Sequence, residues 1–228
     1  MIIAIDGPAG SGKSTTARAV AGRLGYVHLD TGATYRAVAL AFLRDGIEPT
    51  KEGAERVLAS VHLDVLLDET GQRILLNGED VTEEIRTPDV TAVTSTVAAL
   101  RSVREKLVDE QRRIARAFEE GKGGVVIDGR DIGTVVFPDA DLKVFMIADE
   151  RVRARRRFEE LRESGSTATL DEVLRDIRSR DEKDMRRTVA PLRKADDALK
   201  LDTSELDIAE QVNVVVQAVK ERENLSAV

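Results

Sequence analysis

Five short runs of Ile, Val and Leu recur along the chain, each stopping at an aspartate: IIAID at Asp6, YVHLD at Asp30, GVVID at Asp128, LKVFMIAD at Asp149 and ALKLD at Asp202. Apolar runs with little polar alternation suit strands buried on both faces of a parallel sheet. Between them the apolar positions return with helical spacing. Ser14 to Leu24 places Ala17, Val20, Ala21 and Leu24 on one face, and Gly25 follows as a C-terminal stop. Arg101 to Glu120 carries Val103, Leu107, Ile114 and Phe118 at near-helical spacing. Leu170 to Lys183 and Ile208 to Val219 behave likewise, the latter preceded by Asp207 with Glu210 three residues on, a capping-box pattern. Strands alternating with helices predict an α/β fold.

Val61 to Val81 breaks the alternation. VHLDVLLDETGQRILLNGEDV reads as antiparallel strands with turns at Thr70-Gly71 and Asn77-Gly78. A small inserted β subdomain is therefore expected between the second and third strands of the main sheet. Ligands of open α/β sheets bind beyond the carboxyl ends of the strands, so all five acidic strand ends are expected to face one crevice.

Length and charge narrow the possibilities. At roughly 100–200 residues per domain, 228 residues make one large domain or one with an insert. A net charge of −7 argues against coating a nucleic-acid polymer, which needs a broad basic face. The chain has no cysteine, which excludes disulfides and thiolate zinc sites, and its histidines, His28 and His62, are too few for a histidine metal centre. No stretch approaches the ~18–20 apolar residues of a membrane span. MIIAI leads directly to Asp6 without a basic region or cleavage site, so a cytoplasmic protein that makes no use of a membrane is expected.

GPAGSGKS, Gly7 to Ser14, fits the phosphate-binding pattern G-x-x-x-x-G-K-[ST] and lies between a buried strand and an amphipathic helix. Its glycines let backbone N–H groups turn toward oxyanions, and the helix adds the positive end of its dipole. Lys13 is placed to bridge β and γ phosphates, and the Ser14 hydroxyl to ligate Mg²⁺. Asp128 either holds that metal through water or only caps a turn.

The donor loop does not name the acceptor. A nucleoside monophosphate needs no base, because its phosphate, with a second pKa of about 6, is already an anion at neutral pH. The obstacle is repulsion between two polyanions, and arginine suits its removal better than lysine because a planar fork binds phosphate oxygens in pairs. Arg36 follows the second strand and Arg130 the third, in loops where this architecture keeps its chemistry. Arg151, Arg153, Arg155, Arg156 and Arg157 crowd the helix after the fourth; they cannot all face one site, so some pair with Glu159, Glu160 or Glu163. Arg180 and Arg187 flank Asp184. The rivals are a kinase for another monophosphate or for a phosphorylated or hydroxylated metabolite, and a GTP-driven switch or ATPase subunit that works through a protein partner; no N/T-K-x-D guanine-reading segment supports the switch.

DGPAGSGKST, LDTGATYRAVAL, IDGRDIGTVVFPDADLKVF and RDEKDMRRTVAPL, in that order, closely resemble bacterial cytidylate kinases, from Ile2 to about Val219. DGRDIGTVVFPDA and RRTVAPL are specific to that family, whereas the phosphate loop alone is not. The resemblance implies an α/β P-loop nucleoside monophosphate kinase fold: a five-stranded parallel sheet core flanked by helices, a lid, and an inserted antiparallel subdomain. Its implied layout is one kinase domain, 1–228, with a core of 1–35, 121–150 and 188–225, a monophosphate-binding region of 36–100 and a lid of 151–187. It implies transfer from ATP, with Mg²⁺, to CMP or dCMP in pyrimidine metabolism; separately, a monomer is expected.

Carried over position by position, Gly7, Pro8, Ala9, Gly10, Ser11, Gly12, Lys13, Ser14 and Thr15 look like the ATP loop, joined by lid residues Arg153, Arg156 and Arg157. Arg36, Arg130 and Arg187 look like the clamp on the acceptor phosphate, and Lys13, Arg130 and Arg187 like the catalytic cations. Arg180 and Asp184 look like ribose contacts; Ser95, Arg104 and Asp131 look like base contacts. Cytosine offers an amino donor beside ring acceptors, so a carboxylate takes the amino proton while Arg104 donates to the ring. Thr31 stands in DTG where family members often carry serine, keeping a hydroxyl near the sugar.

Overall fold

The computed structural model describes residues 1–68, 71–163 and 165–226. The strands among them are β1 (Ile2–Asp6), β2 (Val27–Asp30), β3 (Leu63–Asp68), β4 (Gly71–Leu76), β5 (Glu79–Asp80), β6 (Val125–Gly129), β7 (Leu142–Ile147) and β8 (Leu199–Asp202). The helices are α1 (Lys13–Leu24), α2 (Thr31–Arg44), α3 (Lys51–Ser60), α4 (Pro88–Val97), α5 (Arg101–Lys122), α6 (Glu150–Glu163), α7 (Leu170–Arg186) and α8 (Ile208–Ser226).

The apolar runs of the sequence form a five-stranded parallel sheet in the order β2-β6-β1-β7-β8. Alternation along β1 explains why both faces had to be apolar. Ile3 and Ile5 pack with Ala17 and Val20 of α1 and with Val212, Val215 and Val216 of α8. Ile2 and Ala4 point the other way, into a cluster with Ile114 and Ala115 of α5 and with Phe137. β6, between β1 and β2, is buried throughout.

The inserted strands form a separate antiparallel sheet, β3-β4-β5. Asn77 at φ 52° and Gly78 at φ 83° make the second expected turn, with the left-handed pair that a tight hairpin demands. Thr70, in the first expected turn, lies outside the described residues. A third apolar cluster joins this sheet to α2, α3, α4 and the first half of α5 through Phe42, Val57, Ile74, Leu76, Val97 and Leu107.

Helices α2, α3 and α4 were not legible as periodic segments. α2 has no polar stripe, because ten of its residues are buried, and it starts at Thr31 directly after β2, capped by Asp30, whose side chain accepts from Ala33 N at 3.1 Å. Arg36 therefore stands on a helix and not in the expected loop. α4 is rich in β-branched residues of modest helix propensity but opens with Pro88 in its first turn, where the missing N–H costs nothing.

α6 and α7 pack on each other through Ala154, Val173 and Ile177. The capping box at Asp207 and Glu210 forms, with both bonds at 2.8 Å, and α8 runs on past Val219 to Ser226. A second capping box, Thr169 with Glu172, starts α7. Thr169→Ala is expected to cost about 1 kcal/mol, seen as a melting temperature lowered by about 2–4 °C in a chain of this size.

Candidate active site

A cavity of about 460 Å³ opens where the carboxyl ends of β2 and β6 meet the phosphate loop, the start of α2, one face of α4, and α6 and α7. The loop from Gly7 to Gly12 joins β1 to α1. Gly7, at φ 153°, passes so close to β7 that a Cβ would lie 2.1 Å from the Met146 carbonyl oxygen. Gly12, at φ 90°, is the left-handed residue that turns the chain into α1.

Lys13 is only 5% exposed, and its Nζ donates to the Pro8 carbonyl at 2.6 Å and to Ser11 Oγ at 3.3 Å. Burial, helped by the Arg130 charge and opposed by Asp128, Asp6 and Asp181, pushes its pKa down to about 7. The side chain thus lies folded over its own loop, in a place where an arriving anion would restore its charge. Ser14 Oγ donates to Asp128 Oδ2 at 2.7 Å, and His28 Nε2 is 2.7 Å from the other carboxylate oxygen. Thr31 Oγ1 donates to the Asp128 carbonyl at 2.8 Å, tying the start of α2 to β6.

Across the cavity stands a second group of charges. Arg104 of α5 and Asp131 form a buried ion pair, and the Arg104 guanidinium lies over the Tyr35 ring, 5.4 Å from its centroid. Arg187 Nη2 is 3.5 Å from the other Asp131 oxygen, and its Nε donates to the Ala190 carbonyl at 2.5 Å. Burial raises the Asp131 pKa against the opposing pull of Arg104 and Arg187. Arg130 Nε donates to Asp184 Oδ2 at 2.9 Å. Arg36 Nη2 donates to Asp30 Oδ2 at 2.7 Å. Burial lifts the Asp30 pKa, but Arg36 and His28 together bring it below the ordinary value. Burial and the nearby Arg130 charge lower the pKa of Arg180.

The structure gathers Ala9, Gly10, Gly12, Lys13, Ser14, Thr15, Thr31, Arg36 and Ser95 around this one cavity, together with Arg104, Asp128, Arg130, Asp131, Arg157, Arg180, Asp184 and Arg187. Gly7, Pro8, Ser11, Arg153 and Arg156 do not line it. Arg153 is buried against the loop from behind, paired with Asp181 and donating to the Ala9 carbonyl at 3.0 Å, while Asp181 accepts from Ala9 N at 3.1 Å. Arg156 donates to Thr203 Oγ1 at 3.1 Å and to the Thr203 carbonyl at 2.6 Å.

The five acidic strand ends also divide. Asp30 and Asp128 line the cavity, whereas Asp6, Asp149 and Asp202 do not. Asp6 accepts from Ile132 N at 2.8 Å and from Gly133 N at 2.7 Å, and burial raises its pKa to about 6. It thereby anchors the turn (Ile132–Val136) that follows Arg130 and Asp131. Asp149 accepts from Arg151 N at 2.8 Å at the start of α6, and Asp202 accepts from Ser204. Tyr35, Arg18, Arg86 and Thr91 line the cavity without having been singled out. Arg18 lies one turn beyond Ser14 on α1, a spacing that could have revealed it.

Among the described residues no helix is long and apolar enough to cross a membrane. The family model described as Cytidylate kinase matches residues 3–221. A cytidylate kinase of Salinibacter ruber is 53% identical over 220 residues, covering 96% of this chain and 97% of that protein. One of Geobacter sulfurreducens is 46% identical over 224 residues, covering 98% of this chain and 94% of the relative. In a crystal structure of an uncharacterized protein from Eubacterium ventriosum, which shares 13% identity, 96% of this chain and 98% of that one superpose with a TM-score of 0.51, a likeness of fold alone. A glycine-rich loop with a buried lysine, a facing arginine cluster and a match over nearly the whole sequence agree: the chain belongs to the cytidylate kinase family.

Proposed function

We propose that this enzyme moves the γ-phosphoryl group of ATP in line onto a phosphate oxygen of CMP, and that it accepts dCMP by the same route. ATP-dependent phosphorylation of CMP is the activity of the family. The observation that carries the finer reading is the meeting, in one cavity, of Lys13 and Ser14 on one wall with Arg36, Arg130, Arg187 and the Arg104–Asp131 pair on the other.

The phosphate loop and Lys13 hold the donor, and Arg36, Arg130 and Arg187 hold the acceptor phosphate. As the acceptor oxygen bonds to the γ-phosphorus, the bond to the β–γ bridging oxygen breaks, and that oxygen leaves on ADP with the electron pair. No side chain need take a proton, because a monophosphate with a second pKa of about 6 is already ionised. The arginines and Lys13 spread the charge of the transition state from fixed positions, which avoids reorganisation during transfer. Ser14 Oγ and Asp128, a hydroxyl and a carboxylate 2.7 Å apart on the cavity wall, are hard oxygen donors that would hold Mg²⁺. When bound, Mg²⁺ would supply neutralisation of the negative charge on the phosphates.

Asp131 accepts a hydrogen bond from the amino group of cytosine, Arg104 donates to the ring, and Ser95 adds a hydroxyl. Arg180 and Asp184 face the ribose. The segment carrying α6 and α7 serves as the lid, bringing Arg157 to the cavity, and its closure excludes water. We read the enzyme as a cytoplasmic monomer, a reading supported by the lining of both halves of the cavity from one chain.

An acceptor panel tests this reading. With ATP, CMP and dCMP should both turn over, and UMP should be poorer in kcat/KM by at least about tenfold, since its edge presents an acceptor to Asp131. Equal rates with UMP or AMP would sink the assignment of Arg104 and Asp131 to the base.

A further inference from the structure

β2 is an edge strand of the parallel sheet, paired with β6 on one side only. At its end, Asp30 still has both main-chain groups engaged, by a side chain from the inserted sheet. Gln72 of β4 accepts from Asp30 N at 2.7 Å through Oε1 and donates from Nε2 to the Asp30 carbonyl at 3.0 Å. A primary amide presents a donor and an acceptor side by side, as a peptide group of a neighbouring strand would. Val65 and Leu67 of β3 bring the hairpin there by packing on the cluster that contains Leu29 of β2.

The residue gripped in this way is the one that aims Arg36. One Asp30 carboxylate oxygen accepts from Ala33 N and starts α2, and the other accepts from Arg36 Nη2 at 2.7 Å. Among the described residues Arg36 is held by that corner: its Nε is buried without a hydrogen-bond partner there, and the side chain lines the cavity. Gly32, between the two, leaves the space; a Cβ there would stand 3.0 Å from Asp30 Oδ1 and 3.1 Å from Arg36 Nη1. A displaced Asp30 main chain would carry both the cap of α2 and the Arg36 guanidinium with it.

We infer that Gln72 is a positioning residue for the acceptor phosphate: through Asp30 it fixes the aim of Arg36, and the inserted sheet thereby sets the affinity for the nucleoside monophosphate. This rests on the reading that Arg36 holds that phosphate. Hydrogen bonds lost from a partly exposed main chain are partly replaced by water, so the effect is one of aim more than of folding.

Kinetics of single and double variants test it. Gln72→Met keeps the volume and removes both hydrogen bonds. It should raise KM for CMP about fivefold, the ratio that corresponds to one net hydrogen bond, and leave KM for ATP unchanged. Gln72→Asn keeps an amide one methylene too short to bridge and should behave like Gln72→Met; an Asn variant with wild-type KM for CMP would overturn the inference. Arg36→Met alone should raise KM for CMP, and adding Gln72→Met to it should change nothing further, because coupled residues are not additive. A fivefold effect that persists in the Arg36→Met background would show that Gln72 acts elsewhere, and overturn the inference while sparing the role of Arg36. An Arg36→Met enzyme with unchanged KM for CMP would overturn the role of Arg36 and the inference together.

Discussion

Lys13→Met is expected to lower kcat by about 10³-fold or more, the scale of losing a charge-stabilising group in the transition state, and yet to raise the stability of the nucleotide-free protein at neutral pH. Both effects come from one fact. The ammonium is held in a buried place at the cavity, and among the described residues the Pro8 carbonyl and Ser11 Oγ accept its hydrogen bonds. Its pKa falls from 10.5 to about 7 chiefly because burial disfavours the charged form, with Arg130 adding repulsion. At about 1.4 kcal/mol for each tenfold change in proton affinity, the cost at neutral pH is on the order of 3–5 kcal/mol.

The sign follows from proton counting. Between about 7 and 10.5 the unfolded chain holds a proton at this position that the folded protein has lost, so folded-state stability rises with pH through that window. Below about pH 7 the full cost is present; above 10.5 it has gone. Methionine has no charge to bury, although it leaves the Pro8 carbonyl without its donor, which returns about 1–3 kcal/mol of the gain. Denaturant unfolding of both proteins without nucleotide, from pH 7 to 10, should show the variant more stable at neutral pH and the gap closing upward. A gap independent of pH would refute the account. A second reading is available by calorimetry in buffers of different ionisation enthalpy: ATP binding to the wild type near pH 7.5 should take up protons, and binding to the variant less.

Asp131→Asn carries the other large effect. Asp131 receives Arg104 on one oxygen and Arg187 on the other, and Arg104 is 3% exposed. Neutralising the carboxylate leaves two cations facing an amide in a buried place, and breaking a buried pair costs about 3–5 kcal/mol. Thermal unfolding should therefore show a clear loss of stability. In turnover, kcat/KM for CMP should fall by about 10²-fold or more, because on the proposed reading the cytosine amino group loses its hydrogen-bond acceptor. The variant has one compensating property: an amide can donate as well as accept, so its Nδ2 suits the carbonyl that uracil places at that edge. The ratio of UMP to CMP turnover should rise even as both rates drop. If both substrates declined in proportion, Asp131 would be supporting Arg104 and Arg187 without reading the base.

Much of this was legible in the primary sequence because its physical signals are local. The five apolar runs became the parallel sheet, but burial on two faces holds along the whole of β1 and β6 only, while the edge strand β8 buries Leu201 alone. The Asn77-Gly78 turn needs two left-handed residues and was placed correctly. What escaped were segments whose partners lie far away in sequence. α2 looked like no helix because it is apolar on nearly every side, wedged among α3, α4, α5 and the hairpin. Asp6 resembles Asp128 as an acid closing a buried strand, yet it accepts two backbone N–H groups from the turn after β6, and only Asp128 reaches the cavity. Arg153 and Arg157 share a helix face, one turn apart. The first is buried against Ala9 with Asp181 and the second lines the cavity, a difference that periodicity does not encode.

The sequence by itself determined the strand-and-helix alternation, the glycine-rich loop pattern, the family and the residue types that line the cavity. Those follow from hydrophobic period, from the need for glycine where the backbone wraps a phosphate, and from motifs contiguous in the chain. Only the tertiary structure decided which arginine of α6 lines the cavity, which acids serve it and which hold the scaffold. It also placed Gln72, from an insert with no motif of its own, against the main chain of Asp30. The reason is that a side chain's partner is set by the packing of elements distant in sequence, and that packing is not written in the spacing of any one segment.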